Sequence, residues 1–109
     1  MRITGYGETM REDRITDEKL ATYFSVAQRA LDEVKIITPK GSHLEIVAWD
    51  YLDMAKRYFS DADYYYREKG DYVTAFASLN YLHGFLDAGA RLGVFKVSSN
   101  ELFAFEEGG

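Results

Sequence analysis

The stretch Tyr58-Phe59-Ser60-Asp61-Ala62-Asp63-Tyr64-Tyr65-Tyr66-Arg67-Glu68-Lys69-Gly70-Asp71-Tyr72-Val73-Thr74-Ala75-Phe76 decides the fold. An apolar pattern of helical period enters it and another leaves it. Between them stand only Gly70 and Asp71, a natural C′ glycine followed by a natural N-cap. So short a connection forces two long helices to run antiparallel, side by side. Upstream, Leu44, Val47, Ala48, Tyr51, Leu52, Ala55, Tyr58, Phe59, Ala62, Tyr65 and Tyr66 carry the pattern from about 42 to 69. At 1.5 Å per residue that helix is roughly 40 Å long. Ser42 and Glu45 have the spacing of a capping box at its start. Downstream, Phe76, Leu79, His83, Leu86 and Ala90 form one stripe of a helix that begins at Tyr72 and is closed by Gly93.

A further helix precedes these two. Thr16 is an expected N-cap, with Asp17 and Glu18 suiting the positive end of the helix dipole. Leu20, Tyr23, Phe24, Ala27, Ala30, Leu31 and Val34 recur at helical spacing, which predicts a helix to about Ile37. Thr38-Pro39-Lys40-Gly41 breaks it. The expected fold is all-α: an elongated antiparallel three-helix bundle. Residues 1–15 read as a flexible lead-in and 16–109 as one domain. In the tail, 94–109, Val94-Phe95-Lys96-Val97 and Leu102-Phe103-Ala104-Phe105 flank the polar Ser98-Ser99-Asn100-Glu101. Alternation and β-branched residues favour a short C-terminal β-hairpin there over a fourth, short helix.

Composition bounds the function. A chain of 109 residues, 47% hydrophobic and 28% charged, is one globular domain. With nine Tyr and seven Phe, much of the core is expected to be rings. There is no cysteine, hence no disulfide, zinc–thiolate or iron–sulfur site, and no cofactor is indicated. The formal net charge of −5 argues against nucleic acid and anionic membrane as partners. No apolar run is long enough to span a bilayer or to serve as a signal peptide, so the expected compartment is the cytoplasm.

The tight turn places positions of the second and third helices at equal height when their numbers add to about 141. His83 then stands at the height of Tyr58, Asn80 at that of Asp61, and Asp87 near Met54 and Asp53. His83 and Asp87, four apart, can touch. Tyr58, Asp61, Asn80, His83 and Asp87 are therefore the candidate polar seam. Chemically, a His polarised by Asp is a general base, and carboxylates with one His can hold a divalent cation. The plainer reading is a structural seam histidine. It is favoured because the Glu-x-x-His pairs of carboxylate-bridged metal bundles are missing, as is any complete set of nucleophile, base and orienter. Asp50, Asp53, Asp61 and Asp63 read as a solvated face neutralised by Lys56, Arg57 and Arg67. No catalytic, cofactor-binding or metal-binding residue is assigned.

A second set marks a contact face. Tyr64, Tyr65 and Tyr66 point in three directions on a helix, so at least one is exposed, and Tyr is enriched at interfaces. Gly84, Ala88 and Gly89 let another backbone approach the third helix closely; a glycine inside a helix costs about 1 kcal/mol against alanine, and two imply a contact. The approaching element is left open: another helix, the tail or a second subunit.

Taken together, Tyr58-Phe59-x-Asp61-Ala62-x-Tyr64-Tyr65, Gly70-Asp71-Tyr72, Ala75-Phe76-Ala77 and Tyr81-x-x-Gly84-x-Leu86-Asp87-Ala88-Gly89-x-x-Leu92-Gly93 resemble the small archaeal family called domain of unknown function 357, from about Leu44 to Phe105. The resemblance implies a short helical, archaeal, cytoplasmic protein with no assigned activity and no catalytic residues to carry over. Some relatives look like appendages of nucleotidyltransferase-type domains. Helical pairs of this kind also resemble nucleotide-binding modules of toxin–antitoxin systems, but their Arg-x-x-x-x-His motif is missing, Ser78 standing five before His83. The reading that results is a non-catalytic helical interaction module, expected to self-associate as a homo-oligomer (a dimer) or to bind a protein partner. An accessory or ligand-binding role in nucleotide or RNA metabolism is the alternative. A metal-dependent hydrolase built on His83, Asp87 and Asp61 is the second.

Overall fold

The computed structural model describes residues 14–97. Three helices dominate: α1 (Asp17–Glu33), α2 (His43–Tyr64) and α3 (Tyr72–Leu92), with β1 (Lys35–Ile36) after the first and β2 (Phe95–Lys96) after the last. The all-α bundle expected from the periodicity is the observed architecture, and its principal extents, 54 × 30 × 19 Å, make it elongated.

The helix starts are those the sequence encodes. Thr16 accepts from the Lys19 N–H, Ser42 from that of Glu45 and Asp71 from that of Thr74. The capping box at Ser42 closes with a one-residue offset: the Glu45 carboxylate takes the N–H of Gly41 at 2.7 Å rather than that of Ser42. The Ser42 hydroxyl itself donates to the Pro39 carbonyl at 2.6 Å.

The ends differ more. α1 stops at Glu33, not near Ile37, because Val34 turns extended (φ −69°, ψ 141°). The run Val34, Ile36, Ile37, Thr38 is β-branched and pairs more readily than it coils. α2 loses its α geometry at Tyr64, and Tyr65–Lys69 form a π turn. Gly70, at φ +62°, lets both its own N–H and that of Asp71 reach the Tyr65 carbonyl. Gly93 closes α3 in the same left-handed way, at φ +90°.

β1 and β2 pair antiparallel, Lys35 opposite Lys96 and Ile36 opposite Phe95. Ile37 adds a bond from its N–H to the Val94 carbonyl at 3.0 Å. The first arm of the tail is thus extended, and the loop after α1 partners it. The expected second arm, Leu102–Phe105, lies outside the described residues, as does most of the lead-in 1–15.

The core is made mainly of leucine and alanine, with Phe95 the one Phe, Tyr or Trp ring among the described buried residues. Leu20, Ala27 and Ala30 of α1, Ala48, Leu52, Ala55 and Ala62 of α2, and Ala75, Leu79, Leu82 and Leu86 of α3 form one buried cluster with Val94 and Phe95. Ala48, Ala55 and Ala62 recur every seven residues, a spacing that keeps one thin edge of α2 toward its neighbours and leaves room for leucines. Most other rings sit around this centre, half-buried, while Trp49, Tyr64 and Tyr81 are exposed.

Candidate functional site

The α2–α3 hairpin has two faces, and the rings show which is covered. On one side it carries α1: Tyr23 meets Phe76 at 4.5 Å between centroids, and Phe24 meets Phe59 and Tyr66, each at 5.7 Å. On the other, four rings alternate between the two helices. Tyr51 lies 5.5 Å from Phe85, Phe85 5.8 Å from Tyr58, and Tyr58 5.3 Å from Tyr81. Phe76 and Phe85 are nine residues apart, about 900° of rotation at 3.6 residues per turn, which puts them on opposite sides of α3. The ladder therefore runs along the face turned away from α1.

Its exposure is graded. Tyr51, Tyr58 and Phe85 are half-buried, whereas Tyr81 is 60% exposed. Beside it on α3, Gly84 and Ala88 are exposed, and a Cβ on Gly84 would meet nothing within 4 Å. From Tyr72 to Leu86, α3 has no Asp, Glu, Lys or Arg. A helix without charge is normally covered on most sides; this one is covered by α1, by α2 and, at Gly89, by Phe95, while Tyr81, Gly84 and Ala88 stay exposed among the described residues.

The candidate polar seam separates in three dimensions. The register holds: Tyr58 is clasped by Tyr81 and Phe85, hence at the height of His83. The facing does not. Tyr81 and Phe85 are two residues either side of His83, and a two-residue step on a helix is more than half-way round. His83 is buried in the bundle, and that burial lowers its proton affinity below the ordinary value. Asn80 and Asp61 are exposed. Asp87 accepts a hydrogen bond from Arg91 Nε at 2.8 Å. Among the described residues no three His, Cys, Asp or Glu side chains come close enough to hold a metal ion.

The expected contact face divides likewise. Tyr64 is exposed, its ring edge-on to Tyr65 at 5.4 Å, and Tyr65 and Tyr66 are half-buried. Tyr66 donates its hydroxyl to Asp17 at 3.2 Å, and Tyr72 donates to the same carboxylate oxygen, fastening α1 to the hairpin turn. Donating to Asp17 pushes the Tyr72 hydroxyl up to about 12. The three glycine and alanine positions differ too. At Gly89 the approaching element is Phe95, whose ring would stand 2.2 Å from an added Cβ. Gly84 has no such neighbour, and both it and Ala88 are exposed. Tyr51, Tyr81 and Phe85 were not singled out by sequence reasoning. The available signal was that Tyr51 and Tyr58, seven apart, and Tyr81 and Phe85, four apart, share stripes at matching heights.

Comparison with known proteins agrees with the resemblance. The family model described as "Protein of unknown function (DUF357)" matches residues 22–95, taking in most of α1 as well as the hairpin. No curated protein and no solved structure matches the chain. No helix among the described residues is long and apolar enough to cross a membrane.

Proposed function

Starting from the fact that the chain belongs to the DUF357 family, we propose that it is a non-catalytic interaction module that docks through the outer face of its α2–α3 hairpin. One observation carries this: the Tyr51–Phe85–Tyr58–Tyr81 ladder lies on the face that α1 leaves open, with Tyr81 60% exposed. Aromatic rings on a rigid element are the side chains that anchor interfaces, and contiguous apolar surface flanked by polar residues marks a binding face. The alternating contacts hold the rings in place before a partner arrives, so little side-chain entropy is lost on docking. The self-association expected from the sequence belongs to this reading, as does the cytoplasm, the reducing compartment that a cysteine-free chain suits.

The test compares capture by the full chain with capture by Tyr81→Arg, both immobilised and exposed to extract from the source cells. The reading expects whatever the parent chain retains, copies of itself included, to be lost with Tyr81→Arg and kept with Trp49→Arg, an exposed ring on the far side of α2. Equal retention by all three contradicts it.

A further inference from the structure

We propose that the occupant of this face is a second copy of the chain, packed hairpin against hairpin about a two-fold axis. The proposal rests on the docking face described above and adds its partner.

Relief, charge and area point to self-pairing. The face has a row of rings, Tyr51, Phe85, Tyr58 and Tyr81, along the α2–α3 seam, raised most at Tyr81, which is 60% exposed, and beside it on α3 a low row at Gly84 and Ala88. The space above Gly84 is open to at least 4 Å. A two-fold axis parallel to the helices and midway between the rows sets the raised row of each copy over the low row of the other. The face is thereby complementary to itself, as an isologous interface requires, and ridges enter grooves. Two chains of net charge −5 repel, but α3 brings no net charge to this face. Its Asp87 and Arg91 neutralise each other at 2.8 Å, and no charged side chain precedes them on the helix. The size reaches the lower end of the range for a stable pair. α2 and α3, 22 and 21 residues long, lie side by side over about 30 Å by 20 Å, roughly 600 Å² before side-chain relief is counted. A stable pair uses about 800 Å² per partner.

The test is sedimentation velocity on the full chain from about 1 μM to 500 μM, with Tyr81→Arg, Gly84→Leu and Trp49→Arg run beside it and far-UV circular dichroism confirming each fold. Gly84→Leu fills open space in the single chain, so it keeps the fold and blocks only the low row. The expected result is a monomer–dimer equilibrium weakened about tenfold or more by Tyr81→Arg and by Gly84→Leu, and unmoved by Trp49→Arg. In this cysteine-free chain, Gly84→Cys should also be joined to its copy by a short bismaleimide faster than Trp49→Cys. A monomer at every concentration overturns the second copy as partner; the capture comparison then decides separately whether the face docks anything. A dimer indifferent to Tyr81→Arg and Gly84→Leu overturns it as well.

Discussion

Phe95 rests on Gly89 so closely that a Cβ at Gly89 would stand 2.2 Å and 2.4 Å from two atoms of its ring. Phe95 is itself buried, with 3% of its surface exposed, and forms one strand of the small sheet, so it has nowhere to retreat. This contact fixes the end of α3 to the loop that follows α1.

Gly89→Ala and Gly84→Ala should therefore move stability in opposite directions. Both gain up to about 1 kcal/mol of helix propensity. At Gly89 the added methyl must displace a buried ring, an overpacking cost of about 1–3 kcal/mol, so the net is a loss. At Gly84 nothing stands within 4 Å, so the gain remains. Urea denaturation of the two variants, each repeated at two protein concentrations, checks the sign.

Alkaline stability should depend on Tyr72. Its hydroxyl is held near 12 in the fold by donating to Asp17, against an ordinary value of 10.0. A raised folded value gives stabilisation that is complete below about pH 10 and lost as pH rises through 12. Tyr72→Phe should remove that slope. Melting temperatures of the two proteins between pH 9 and pH 12 should converge; parallel curves would show that the bond to Asp17 contributes nothing.

Acid stability should depend on His83. Burial holds it below its ordinary value of 6.5. A lowered folded value gives stabilisation that is complete above pH 6.5 and is lost as pH falls from there through the folded value, because the unfolded chain takes up the proton first. His83→Gln should flatten the change in unfolding free energy between pH 7 and pH 5. An unchanged slope would place His83 in water.

Loss of the Ser42 hydroxyl should cost about 1 kcal/mol, the usual value of an N-cap. It accepts from the Glu45 N–H at 3.2 Å and donates to the Pro39 carbonyl at 2.6 Å. Ser42→Ala should lower the denaturation midpoint accordingly, and Ser42→Thr, whose hydroxyl can make both bonds, should restore most of it.

The helices were legible because their signals are local. Caps at Thr16, Ser42 and Asp71, left-handed glycines at 70 and 93, and a period of 3.6 each depend on neighbours in sequence. The errors fall where distant partners decide. Val34–Ile37 continue the helical pattern of α1, but β2 draws Lys35 and Ile36 into a strand. The height of Tyr58 against His83 was readable from the short turn, whereas the direction each faced depended on where α1 packs. That packing turned His83 inward and left Tyr58 on the outer ladder. Gly84 and Gly89 look alike in the sequence; only the return of the chain through Phe95 separates them.

The most direct measurement of the central claim is hydroxyl-radical footprinting of Tyr58, Tyr81 and Tyr64, in dilute purified protein and again in source-cell extract. Tyr64 is 47% exposed on another side of α2 and serves as the reference. The expected result is that Tyr58 and Tyr81 become protected in the extract while Tyr64 keeps its reactivity. Equal labelling of all three in both conditions would show that the outer face of the hairpin is left uncovered, and would contradict its reading as a docking face.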